Sequence, residues 1–140
     1  MSAEAGGGPS KAILIVDDEP IILMALRREL RSSLGPAYQY ETARDGTEGL
    51  EVVEELVAEG VKVVLVVSDW LMPGIKGDQF LLELRRRHPD IRTIMVSGQA
   101  DENQIDLIRK AGALDAFFFK PWNAAHFTET CRSLLASASA

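Results

Sequence analysis

The sequence predicts an α/β fold: a doubly wound, five-stranded parallel sheet covered on both faces by helices. Three observations predict it. Five short apolar runs alternate with five helical stripes across about 125 of the 140 residues. Glycine or proline punctuates the helix ends. Polar and charged residues cluster just after the apolar runs, at Asp17-Asp18, Asp69, Ser97 and Lys120. Strands alternating with helices of this length require right-handed crossovers and a sheet buried on both sides.

Ala12–Val16 (AILIV) is the first strand, apolar throughout as expected of a doubly covered one. Pro20 opens the first helix, where its missing N–H costs nothing. Leu23, Leu26, Leu30 and Leu34 form that helix's stripe, and Gly35-Pro36 stops it. Tyr38–Ala43 is a more polar, edge-like strand. Asp45-Gly46-Thr47 starts a helix with Leu50, Val53, Leu56 and Val57 on one side, ending at Gly60. Val63–Ser68 is the most apolar strand and so a central one. Phe80, Leu81 and Leu84 mark the third helix, closed by His88-Pro89-Asp90. Arg92–Ser97 is the fourth strand; Ile105, Ile108 and Ala111 align on a fourth helix that starts at Asp101 or Glu102 and ends at Gly112. Ala116–Phe119 is the fifth strand, and Phe127, Cys131, Leu134 and Leu135 mark the fifth helix.

The chain is long enough for one domain with a full core. Residues 1–10, rich in glycine, read as a flexible N-terminal tail, 11–136 as the folded domain, and 137–140 as a C-terminal tail or linker stub. The net charge of −6 argues against direct nucleic-acid binding, which needs a basic surface. It argues equally against an anionic membrane as partner, and no apolar run is long enough to insert. A single cysteine excludes an internal disulfide and a cysteine zinc cluster. A cytoplasmic protein is the expectation.

In such a fold every strand ends on the same edge of the sheet, and ligands bind in the crevice outside those ends. Asp17 and Asp18 follow the first strand, Asp69 the third, Ser97 and Gly98 close the fourth, and Lys120-Pro121 follow the fifth. Three carboxylates in one crevice repel each other and call for a counter-ion. Oxygen donors without His or Cys suit a hard cation such as Mg²⁺. A cation, a lysine and a hydroxyl around a carboxylate are suited to receiving a phosphoryl group, with Asp69 as acceptor.

Four motifs sit in this order at strand ends: IVDDE (Ile15–Glu19), SDWLMPG (Ser68–Gly74), VSGQA (Val96–Ala100) and FKPW (Phe119–Trp122). Together, over Lys11 to Ala136, the chain resembles the receiver domain of two-component response regulators. The resemblance implies a flavodoxin-like strand order 2-1-3-4-5 and a phosphorylation-activated switch. It implies Asp69 as phosphoacceptor, with Asp17 or Asp18, Asp69 and the backbone carbonyl of Leu71 holding Mg²⁺. Lys120 would pair with the phosphoryl group, Gly98 would leave room beside it, and Ser97 and Phe117 would form the switch. Leu71 and Gln99 would flank the hydrolytic water and tune phosphoryl lifetime. The Lys120-Pro121 bond is often cis in such proteins. The implied partners are a histidine kinase or phosphotransfer protein and a downstream target or output domain. The fourth helix, fifth strand and fifth helix would carry the signal and serve for homodimerisation. Such a domain catalyses only its own phosphorylation and dephosphorylation.

Two other functions compete. An aspartate-nucleophile phosphatase would carry a second aspartate two residues on, where this chain has Leu71. A docking module not controlled by phosphorylation has no need of the five site residues. Individual residues also have plainer readings: Asp18 as a helix cap, Asp69 as a turn residue, Cys131 as packing, Asp45-Gly46 as a helix start, and Trp122 as a shaper of the surface by the last helix. No DNA-binding or catalytic output domain follows Ala140, so the expectation is either a stand-alone receiver or a piece of a longer regulator or hybrid kinase.

Overall fold

The structure is a computed structural model that describes residues 8–99 and 101–139. Most of the expected N-terminal tail lies outside the described residues. The elements run β1 (Lys11–Val16), α1 (Pro20–Leu34), β2 (Gln39–Ala43), α2 (Gly46–Ala58), β3 (Lys62–Ser68), α3 (Gly77–Arg87), β4 (Arg92–Ser97), α4 (Glu102–Lys110), β5 (Ala116–Phe119) and α5 (Ala124–Ser139). A short 3₁₀ turn, Gly35–Ala37, follows α1. The helix α5 continues past residue 136.

All strand pairs are parallel, in the order β2-β1-β3-β4-β5. The apolar β3 is central and the polar β2 is an edge. Alternation along the strands divides the core in two. Ala12, Leu14 and Val16 of β1 face a layer built by Val53 and Leu56 of α2, Phe80, Leu81 and Leu84 of α3, and Ile105 and Ile108 of α4. Ile13 and Ile15 face the opposite layer, with Leu23, Leu26 and Leu30 of α1 and Phe127, Cys131 and Leu135 of α5. This explains why β1 and β3 read as continuous apolar runs: both faces are covered.

Local signals set the helix starts. The Asp45 side chain accepts from the Glu48 N–H at 2.8 Å, capping α2. Asp101 does the same for α4 through the Asn103 N–H, also at 2.8 Å. Asp18 is not the cap of α1; Glu19 holds that position, and Pro20 is the first helical residue. Two stripe positions fall outside the core. Val57 lies one residue before the end of α2 with its side chain exposed, and Ala111 is the exposed C-cap of α4.

Candidate functional site

The three inner strands and β5 carry the site to one edge. Asp17 and Asp69 continue β1 and β3, and the ladder is extended by the Asp69 N–H donating to the Val16 carbonyl at 2.9 Å. Asp17 N–H donates in turn to Ala43 O, at the end of β2, at 3.1 Å. Backbone pairing therefore brings the two aspartates side by side before any side chain is considered. On the other flank, Ser97 pairs with Phe119 in the β4–β5 register, and Lys120 N–H donates to Ser97 O at 3.0 Å.

The carboxylates converge. One oxygen each from Asp17, Asp18 and Asp69 lies within 4.8 Å of the others. Asp17 and Asp69 are buried, whereas Asp18 is exposed. Lys120 Nζ reaches into the cluster, 2.9 Å from Asp17 Oδ2, 3.3 Å from Glu19 Oε1 and 3.5 Å from Asp69 Oδ2. Asp17 Oδ1 accepts from the Glu19 N–H at 2.9 Å, and Asp69 Oδ1 from the Trp70 N–H at 2.7 Å. The Lys120-Pro121 peptide bond is cis.

These contacts have opposing electrostatic effects. Burial pushes the Asp17 carboxyl above the usual carboxylate range, and the Asp69 charge adds to it; the Glu19 N–H and Lys120 offset only part. Burial alone would pull Lys120 down. Its hydrogen bond to Asp17, with the negative charges of Asp17 and Asp69, outweighs that and holds the ammonium above its ordinary value. One ammonium thus faces Asp17, Asp69 and Glu19, and the Asp18 carboxylate adds a fourth negative charge beside them. The excess negative charge, all on oxygen, fits a hard divalent cation.

The remaining sequence-predicted residues differ in burial and contacts. Ser97 is buried, and its hydroxyl accepts from the Gln99 N–H at 3.3 Å. A Cβ added to Gly98 would lie 3.9 Å from Lys120 Cβ, so the two are close neighbours. Gln99 and Leu71 are exposed, Leu71 on the loop two residues past Asp69. Phe117 is half-buried against the α2–α3–α4 layer and meets the exposed Phe119 edge to face, with centroids 4.9 Å apart.

Three features escaped the sequence reading. Glu19 pairs with Lys120 from 101 residues away. The Trp122 indole N–H donates to both carboxylate oxygens of Glu29, at 3.0 and 3.2 Å, tying the loop after Lys120 to α1 rather than standing beside α5 alone. Gly77 packs directly behind Asp69: its N–H donates to Trp70 O at 2.7 Å, and a Cβ there would overlap the Asp69 carbonyl oxygen. The sequence signal for this last contact is the glycine that opens α3, one residue after the Lys76 cap.

Comparisons with known proteins agree with this fold. The family model of the response regulator receiver domain matches residues 13–132. The chain is 38% identical over 126 residues to the sensor kinase CckA of Brucella abortus, which covers 90% of this chain but 13% of that protein. It is 30% identical over 119 residues to the chemotaxis protein CheY of Thermotoga maritima, covering 85% of this chain and 92% of that one. The crystal structure of the response regulator protein TrrA from Thermotoga maritima, in complex with Mg²⁺–BeF, is similar with a TM-score of 0.74 at 31% identity, covering 89% of this chain and 98% of that one.

Proposed function

The chain belongs to the response regulator receiver domain family, and from that premise we propose that it is a phosphorylation-controlled switch whose acceptor is Asp69. Receiver domains of two-component systems serve phosphorylation-dependent signalling, bind Mg²⁺ at an acidic pocket, and interact with histidine kinases and output domains; they are switches rather than classical enzymes. The observation that carries the proposal is the convergence of Asp17, Asp18 and Asp69 within 4.8 Å beside Lys120. No helix among the described residues is long and apolar enough to cross a membrane.

A carboxylate oxygen of Asp69 attacks the phosphorus of a phosphohistidine or small acyl phosphate. The new O–P bond forms as the donor's P–N or P–O bond breaks, and the bonding pair leaves with the donor's imidazole or carboxylate. Mg²⁺, held by Asp17 or Asp18, Asp69 and the Leu71 carbonyl, would neutralise charge on the phosphoryl oxygens. Lys120 shares that task, shifting part of its interaction from Asp17 to the phosphoryl group. The Ser97 hydroxyl turns to donate to the same group, and Phe117 moves into the space it leaves. Leu71 and Gln99 flank the approach of the hydrolytic water and so set the lifetime of the acyl phosphate.

The readout is the face formed by α4, β5 and α5, where Leu107 and Phe119 stand exposed; the same face would serve a homodimer or a downstream target. Full switching from about 1:99 to 99:1 needs roughly 5.5 kcal/mol of differential interaction. One hydroxyl bond, one lysine contact and the burial of one ring amount to part of that, so a partial population shift is expected.

Beryllofluoride with Mg²⁺, a mimic of the carboxyl-bound phosphoryl group, tests the reading by NMR. It should bind wild type and not Asp69→Asn, and should move the Phe117 ring and Ser97 amide signals. Absence of binding would remove Asp69 as acceptor. Binding with an unmoved Phe117 would remove the switch.

A further inference from the structure

Two contacts beside Asp69 play no part in the phosphoryl chemistry described above, and both act on the peptide unit between Asp69 and Trp70. The N–H of that unit is Trp70's, and it donates to Asp69 Oδ1 at 2.7 Å. Its carbonyl is Asp69's, and it accepts from the Ser68 hydroxyl at 2.8 Å. Ser68 is the last residue of β3 and has no exposed surface. Behind the same unit sits Gly77, where a Cβ would overlap the Asp69 carbonyl oxygen and lie 2.8 Å from Trp70 Cα. A peptide unit is rigid and planar, so holding its oxygen fixes where its N–H points. That N–H in turn engages one carboxylate oxygen and leaves the other, Oδ2, 3.5 Å from Lys120.

We propose that Ser68 is a positioning residue for phosphoryl acceptance. With Gly77 behind it, its hydroxyl locks the 69–70 peptide so that Asp69 presents its carboxylate in one orientation. The inference rests on the reading of Asp69 as the acceptor. A plainer role would be that of a buried hydroxyl satisfied by a nearby carbonyl. Thr93 supplies the comparison. It is equally buried, and its hydroxyl donates to Ala113 O at 2.7 Å. It lies near the start of β4, away from the strand ends that carry the site.

The test is the initial rate of phosphorylation by a small acyl phosphate at saturating Mg²⁺, measured against donor concentration, alongside thermal stability. Wild type, Ser68→Ala, Ser68→Cys and Thr93→Val are compared. Ser68→Ala should lower the rate at saturating donor about tenfold or more with little change in half-saturating concentration, as a misaimed nucleophile does. Ser68→Cys keeps a weak donor and should recover part of the rate. Thr93→Val should lose stability but keep the wild-type rate. A Ser68→Ala protein as fast as wild type would overturn the proposal, as would an equal loss in Thr93→Val. A wild type that takes up no phosphoryl group would instead overturn the acceptor reading, and the positioning role with it.

Discussion

Replacing Asp17 with asparagine should stabilise the metal-free protein, although it removes one side of a buried ion pair. Breaking such a pair ordinarily costs about 3–5 kcal/mol because it strands the partner charge. Here the partner is not stranded: Lys120 keeps Glu19 at 3.3 Å and Asp69 at 3.5 Å. Asparagine also retains an oxygen for the Glu19 N–H. Coulomb's law gives the balance. At an effective dielectric of about 20, a like charge within 4.8 Å costs about 3.5 kcal/mol or more, and the buried Asp69 is such a neighbour. The charge of the exposed Asp18 is screened by water. The attraction to Lys120 at 2.9 Å is worth about 6 kcal/mol on the same scale. Repulsion offsets a good part of the attraction, and burial, the largest influence on the Asp17 carboxyl, tips the balance against the charge. The raised pKa of Asp17 has the same sign.

The expected gain is on the order of 1 kcal/mol, or roughly 0.5 M in the midpoint of urea unfolding in chelator. It should disappear on acidification. A carboxyl with a raised folded pKa takes up its proton in the native state first, so wild type recovers stability as pH falls through that value. The two proteins should therefore converge as pH falls through the raised Asp17 value and differ fully above it. Mg²⁺ should reverse the order: at a hundred times its Kd it adds about 2.7 kcal/mol to wild type and much less to the variant. A midpoint for Asp17→Asn below that of wild type in chelator would refute the reasoning.

Two further predictions concern parts of the molecule away from the carboxylates. Asp115 accepts from Arg85 at 2.9 Å and from the Thr93 N–H at 2.8 Å, joining α3 to the start of β4; Asp115→Ala should lower stability by about 2–4 kcal/mol in thermal unfolding while leaving the phosphorylation rate unchanged. Burial pushes the Cys131 thiol up to about 12, so alkylation at pH 8 should proceed only as fast as the protein opens; rapid labelling of the native state would contradict that packing.

Strand positions were the most legible part of the sequence, because a sheet covered on both faces demands unbroken apolar runs. Each expected strand lies within a residue of the observed one at either end, as with Ala12–Val16 against Lys11–Val16. The order of the strands was not legible from periodicity; it came with the motif resemblance. Helix stripes were legible where a full turn faces the sheet, as at Leu23, Leu26 and Leu30, and failed at helix ends, where Val57 and Ala111 turn outward. The convergence of the aspartates and Lys120 followed from topology, since parallel strands end on one edge. What stayed hidden were pairings set by tertiary packing: Glu29 with Trp122 and Arg85 with Asp115, separated by 93 and 30 residues. The Ser68 contact was hidden for a different reason. It is local, but it depends on a peptide orientation that no residue type announces.

The central claim is that Asp69 receives a phosphoryl group at this strand-end cluster. Intact mass after incubation with a small acyl phosphate and Mg²⁺ tests it most directly, on wild type and Asp69→Asn. The account predicts a single phosphoryl mass gain in wild type, removed by hydroxylamine as an acyl phosphate is, and no hydroxylamine-labile gain in the variant. No gain in wild type, under conditions that phosphorylate another receiver domain, would contradict it; so would an equal hydroxylamine-labile gain in both.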